Sequence, residues 1–485
     1  MSPDALAGPL SDRRPVCNSH VRDCEGAACW FFLGRSPCKA SVSRLRFPHR
    51  GRPAARAAAG RSSRVTACLR PAACGLLKEV IRLLHTADWH LGAALQGWSR
   101  EPEHRAALAQ LVALAKARDV DAVIVAGDIF DSLNPSAEAQ RLLYDTLRDL
   151  RAACPRAAIA LLAGNHDPAG RLEAPRALFE MAGVQSIGVV ARREGALDAG
   201  RHLIPIRAAS GDIGAYLLAL PYPRAADLPV AGADVVGSSV VWGVRALYRE
   251  AAAAARAEID AAPLVLTGHL HVAGGLESEG AERRILVGGE HAAPPDIFPA
   301  DAAYVALGHL HRPQSVGRDT IRYSGALIPM SKTEIGYRHG ATIVEIDAAG
   351  VATAEHVPFE RSVPHLRLPA AGALAVSEIE PALSALALDL QTPHDARPFL
   401  HLAVRVEGPA AGLKSDVDAL CEKFPVRLVS LAVERPQAPD VAAAAPPRLA
   451  EREPVDLFRE AFEATHRAPP SEAHLRCFGE LAEEG

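Results

Sequence analysis

The stretch Val123-Ile-Val-Ala-Gly-Asp-Ile-Phe-Asp131 constrains this chain most, because a β-branched run stops there at Gly127-Asp128. Such a run packs on both faces as a buried strand, and the glycine lets the backbone turn as it leaves the sheet. The strand so delivers a carboxylate to the rim of a sheet. A single Gly-Asp is more often a turn than a site. Here the device recurs. Ile81–Leu84 runs into His85-Thr-Ala-Asp-Trp-His90, and Ala158–Ala163 into Gly164-Asn-His-Asp167. Two later runs end in the near-duplicate tetrads Gly268-His-Leu-His271 and Gly308-His-Leu-His311.

Helical patterns separate the first three runs. Leu108, Leu111, Val112 and Ala115 recur at helical spacing, and Ser136 is placed to cap a helix whose stripe holds Leu143, Leu147 and Leu150. Strand–helix–strand–helix–strand predicts parallel strands joined by right-handed crossovers. After residue 200 strands dominate: Ala215–Leu220, Leu264–Leu266, Arg284–Val287, Tyr304–Leu307, Ile321–Tyr323 and Thr342–Ile346, with one Ala-rich helix near Val244–Asp260. An α/β first half and a mainly β second half fit two stacked sheets flanked by helices.

Residues 364–435 read as a separate small α+β domain. Leu400, Leu402, Val404 and Val406 alternate as in a strand with one buried face; a helix at Leu413–Phe424 and a strand at Val426–Val433 follow. Residues 436–447, with four prolines, read as a linker. Two amphipathic stretches close the chain, one with Val455, Phe458 and Phe462, the other with Leu475, Phe478 and Ala482. Helices of that length bury little alone and are expected to pack on a partner.

Charge is unevenly spread. Residues 1–79 carry 14 Lys/Arg against 5 Asp/Glu, a net of +9, and the remaining residues carry −13. Phosphate binding by the acidic part must use a local basic patch, metal ions or a partner. Six of nine cysteines precede residue 80, and Cys154, Cys421 and Cys477 suggest neither a disulfide framework nor a thiolate site, as in a reducing compartment. Residues 1–79 lack a sustained apolar period and are expected to be disordered. They read as upstream sequence from a wrongly chosen start, ahead of a transit peptide or a small cysteine knuckle. No apolar run reaches the ~20 residues of a membrane-spanning helix.

The polar residues at the strand ends are Asp88, His90, Asp128, Asn165, His166, Asp167, His269, His309 and His311. In open α/β sheets such loops share one edge, so the side chains can converge. Carboxylate, imidazole and amide oxygen together suit first-row divalent ions. Seven candidate ligands are too many for one ion with open positions and suit two ions sharing a carboxylate, a pairing that stabilises charge on a phosphoryl group. His85, His202, His291 and His339 read as core or turn histidines, and His271 as a bystander.

These motifs resemble the calcineurin-like metallophosphoesterases. More narrowly, Leu83–Gly92, Gly164–Pro168, Gly308–Pro313 and Tyr323–Ser331 look like the bacterial SbcD family of nuclease subunits. The resemblance implies a four-layer α/β/β/α fold over residues 80–360, an α+β capping domain over 361–435, a linker at 436–447 and a helical tail over 448–485 that binds the partner. It implies one metal on Asp88, His90, Asp128 and His311 and a second on Asp128, Asn165, His269 and His309, with manganese as the ion. His166 would then be the acid on the leaving oxygen, oriented by Asp167, and Asp131 a supporting carboxylate behind the ligands. It further implies 3′-to-5′ exonuclease action on duplex DNA ends, endonuclease action on single strands and hairpins, and roles in DNA repair, recombination and replication. The implied partner is the SMC-like ATPase SbcC, in a heterotetramer built on a homodimer, cytoplasmic and nucleoid-associated, without a membrane. Two rivals remain: another dinuclear phosphoesterase acting on small phosphodiesters, and a non-catalytic DNA-end-binding subunit.

Overall fold

In the computed structural model the described residues are 80–230, 232, 237–278, 292–406, 412–435, 454–466 and 469–483. The expectations for residues 1–79, the strand at 284–287, His291 and the linker at 436–447 lie outside them.

In chain order the elements begin with β1 (Ile81–Thr86), the hairpin β2–β3 (Ala94–Leu95, Trp98–Ser99), α1 (Glu101–Ala117), β4 (Ala122–Ala126), α2 (Ala137–Ala153) and β5 (Ala158–Leu162). Two short helices, α3 (Ala169–Glu173) and α4 (Arg176–Met181), lead to β6 (Val184–Ile187). The hairpin β7–β8 (Arg192–Arg193, Ala196–Leu197) and α5 (Ala199–His202) precede β9 (Leu203–Arg207), β10 (Ile213–Leu218) and α6 (Ser239–Glu258). Then come β11 (Leu264–His269), β12 (Tyr304–Gly308), β13 (Gln314–Val316), β14 (Arg318–Tyr323), β15 (Gly340–Ile346) and β16 (Ala352–Pro358). Ser136 caps α2 as expected, its hydroxyl accepting the Ala139 N–H at 3.2 Å.

Two six-stranded sheets form the body, in the orders β16-β15-β1-β4-β5-β6 and β13-β14-β12-β11-β10-β9. Strands β1, β4, β5 and β6 run parallel, as do β10, β11, β12 and β14. Alternation decides the layers. Leu84, Val123, Val125, Ile159 and Leu161 face α1 and α2, whereas Leu83, Ile124, Ala160 and Leu162 face Ile204, Leu217, Val265 and Ala306 of the second sheet. The other face of that sheet, Leu264, Leu266, Val305 and Leu307, packs on Val244, Leu247, Tyr248 and Ala251 of α6. The order is helices, sheet, sheet, helix. The halves of the chain do not map onto the two sheets. The strand expected at Thr342–Ile346 is β15, which returns to lie antiparallel beside β1 in the first sheet.

A four-stranded sheet follows, made of β17 (His365–Leu368), β18 (Leu374–Ala375), β19 (Phe399–Arg405) and β20 (Arg427–Glu434), with helices α7 (Ile379–Ala385) and α8 (Leu413–Cys421). Central β19 has more than one buried face, contrary to expectation. Leu400, Leu402 and Val404 pack with Ile379, Leu383, Val417 and Cys421 of the helices. Phe399 packs with Val363, Val429, Leu95 and Trp98. The Arg427 guanidinium stands 4.0 Å over the Phe399 ring and Arg100 5.3 Å from it, so cations and the β2–β3 hairpin cover what alternation left bare. Last come α9 (Pro454–His466) and α10 (Glu472–Glu483), which meet through stacked Phe458 and Phe478, ring centres 4.5 Å apart. No described helix is long and apolar enough to cross a membrane.

Candidate metal centre

Parallel β1, β4 and β5 leave the first sheet at one edge, and β11 and β12 leave the second likewise. Asp88 and His90 follow β1, Asp128 follows β4, and Asn165, His166 and Asp167 follow β5; His269 ends β11, and His309 and His311 follow β12. The backbone turns sharply to present them. Asp88, His90, Asp128 and His309 have φ of 52°, 47°, 49° and 101°, in the left-handed region that side chains avoid. Such strain persists where the surroundings over-determine it, and it collects at functional sites. Gly127 has φ 93°, and a Cβ there would lie 2.2 Å from His269 Nδ1; one on Gly164 would lie 2.1 Å from Asp128 Oδ1. Only glycine lets these loops close on the ligands.

Two groups of side chains result. The ligating atoms of Asp88, His90 and His311 lie within 4.8 Å of one another, and so do those of Asp128, His269 and His309. His90 Nε2 is 3.2 Å from His311 Nε2. Asn165 Oδ1 joins the second group, 3.0 Å from His269 Nε2 and 3.2 Å from His309 Nδ1. Asp128 reaches both: its Oδ2 lies 3.2 Å from His269 Nε2 and 3.8 Å from His90 Nε2. His269 donates Nδ1–H to the Ala126 carbonyl at 2.9 Å, which turns Nε2 toward Asn165 and Asp128.

Burial opposes charge at all these groups. It raises Asp88 above the usual carboxylate range, with partial relief from His269, and it lowers His309 well below a usual imidazole. At Asp128 burial is outweighed by His269, which holds the carboxyl well below its ordinary value. Burial of His269 is in turn outweighed by Asp128, which lifts that ring to about 9. Asp88 Oδ2 is buried without any hydrogen-bond donor. Two carboxylates, four imidazoles and an amide oxygen thus face one another with too few protons between them, the donor set of first-row divalent cations.

Comparison with known proteins agrees. The calcineurin-like phosphoesterase model matches residues 81–313, and a model described as the type 5 capsule protein repressor C-terminal domain matches 367–466. The SbcD subunit of the SbcCD nuclease from Rhodobacter capsulatus is 50% identical over 385 residues, covering 79% of this chain and 94% of that protein. The chain belongs to the SbcD family. The same subunits from Bacillus subtilis and Escherichia coli are 36% and 29% identical, over 61% and 75% of this chain and 74% and 88% of theirs.

Within this SbcD-family site, some expected roles change. Asp167 does not orient His166. Its carboxylate, fully buried, accepts the N–H groups of Gly164, Phe130 and Ile129 at 2.7, 2.8 and 3.1 Å. The His166 ring is set instead by Asp131, whose carbonyl accepts from Nδ1 at 2.8 Å. Asp131 also places a carboxylate oxygen 3.3 Å from His90 Nδ1, so it steadies two imidazoles at once. The His166 backbone N–H donates to Asp128 Oδ1 at 2.8 Å. His271 lies outside both groups and pairs with Glu277 at 3.4 Å. His85, His202 and His339 are buried against main-chain carbonyls. The sequence reading missed Glu334: fully buried, it accepts from His311 Nδ1 at 2.9 Å. No strand end or repeated motif marks it.

Proposed function

We propose that this chain is the nuclease subunit of an SbcCD-type complex, hydrolysing DNA phosphodiester bonds at a two-metal centre. The observation that carries the reading is Asp128 standing between two complete ligand groups. Asp88, His90, Asp128 and His311 would hold one ion, and Asp128, Asn165, His269 and His309 the other, with manganese suited to this mixed donor set. Ions held there supply positive charge to the phosphoryl group as it gains negative charge. The protein does the rest. Asp128 keeps both groups in register, the His269–Ala126 and His166–Asp131 bonds fix two rings, and His166, beside the shared carboxylate, delivers a proton to the leaving oxygen.

Relatives bearing the SbcCD name support a partner ATPase of the SbcC type and duplex or single-stranded DNA as substrate. We assign 3′-to-5′ exonuclease action on duplex ends, endonuclease action on single strands and hairpins, and a place in DNA repair and recombination. Residues 80–360 would form the nuclease domain, 361–435 the cap and 448–485 the ATPase-binding tail. A homodimer fits the exposed Leu133, Leu178 and Met181 alongside half-exposed Tyr144. The test is manganese-dependent degradation of a labelled duplex, alone and after co-purification with the ATPase. Brisk turnover of a generic phosphodiester without DNA cleavage would favour the small-substrate rival.

A further inference from the structure

Glu334 stands one layer behind His311 in a segment that is clamped from several directions. Its Oε1 accepts from His311 Nδ1 at 2.9 Å and its Oε2 from the Met330 N–H at 2.8 Å. Arg100 Nη1 donates to the Pro329 carbonyl at 2.8 Å, and Arg361 Nη2 to those of Ile335 and Tyr337 at 2.6 and 2.9 Å. The His339 ring is 3.1 Å from the carbonyls of both Ala326 and Glu334. The Ala326 N–H donates to the His311 carbonyl at 3.1 Å. Both ends of the Glu334–His311 bond are therefore fixed before any ligand arrives.

We propose that Glu334 is the positioning residue of the Asp88–His90–His311 group. By accepting the Nδ1 proton it sets the tautomer, so that the Nε2 lone pair faces His90 and Asp88. The inference rests on the two-metal reading above. It also makes the two groups unequal. His269, the corresponding imidazole of the other group, leans on the neutral Ala126 carbonyl at 2.9 Å, whereas His311 leans on a carboxylate. A carboxylate partner raises the basicity of the ligating nitrogen and restrains its ring; losing such a partner costs about 10–100-fold in ion affinity. A purely structural role for Glu334 would lower stability without singling out one ion.

The test is calorimetric titration of manganese into the ion-free full chain, with the electron paramagnetic resonance spectrum recorded at each step. The parent is expected to bind two ions and to show their magnetic coupling. Glu334→Ala is expected to weaken one ion by about 10–100-fold and leave the other unchanged, so that the coupling appears only at higher manganese. Glu334→Gln, which keeps an acceptor oxygen for Nδ1–H, is expected to fall between the two. Parental affinity for both ions in Glu334→Ala overturns the assignment. If Glu334→Ala does not fold, Glu334→Gln decides: weakening confined to one ion supports the role, and parental affinity for both rejects it. A parent that binds fewer than two ions overturns the two-metal reading itself, and this inference with it.

Discussion

Asp167 Oδ1 accepts the Phe130 N–H at 2.8 Å, and this bond ties the loop after β5 to the loop after β4. The other oxygen takes the N–H groups of Gly164 and Ile129. Burial, reinforced by the charge of Asp128, pushes the Asp167 carboxyl up to about 6. Asp167→Ala leaves three buried donors without an acceptor. We expect a loss of roughly 3 kcal/mol or more in urea unfolding, together with weaker ion binding, because Asp128 and Asn165 ride on the same two loops. Unchanged stability would show that water can replace the carboxylate.

Asp128→Ala is expected to abolish ordered binding of both ions and all cleavage. Asp131→Ala, which removes the carboxylate behind His90 but keeps the carbonyl that holds His166, is expected to weaken ion binding by about 10-fold. Calorimetry separates the two. Intact binding of two ions in Asp128→Ala would remove that residue from the bridge.

Acid should destabilise the fold through histidines remote from the metals. Burial lowers His85 to about 3 and His339 to about 4. In the unfolded chain each takes up a proton near its ordinary value, while the folded form resists it. Their stabilising effect is full above about pH 6.5 and is lost as pH falls toward the folded values. At pH 5 each would cost up to about 2 kcal/mol relative to pH 7. The urea midpoint should drop between those pH values, and His85→Gln should flatten the dependence. An equally steep dependence in His85→Gln would show that other groups carry it.

Phe399→Ala removes the ring between Arg100 and Arg427 where β19 meets the β2–β3 hairpin. Cavity formation in such a site costs roughly 3–5 kcal/mol. Limited proteolysis should then cut between β16 and β17 faster than in the parent. Equal cutting rates would mean that the Trp98 Nε1–H bond to the Leu428 carbonyl, 3.3 Å, holds the contact without the ring.

The body of the fold was legible because its signals are local. Apolar runs of strand length and glycine at the turns placed β1, β4, β5, β11 and β12, and with them every ligand. The return of β15 to the first sheet was not, since periodicity identifies a strand but not its neighbour. Nor was the second buried face of β19, because Arg100 and Trp98, which cover it, lie some 300 residues away in sequence. Adjacency in sequence misled at Asp167: neighbouring His166, it looked like that ring's partner, yet its oxygens turn to backbone N–H groups. Glu334 shows the opposite failure, a long-range partner that only the folded chain reveals.

Each ligand group draws from both sheets: Asp88, His90 and Asp128 come from the first, His269, His309 and His311 from the second. During synthesis the acidic ligands leave the ribosome well before the imidazoles of β11 and β12. A chain interrupted anywhere before residue 309 therefore completes neither group, and an abandoned translation product carries no working nuclease. The gap between the sheets thus also acts as a safeguard in time, withholding a DNA-cutting centre until nearly the whole body has been made and stacked.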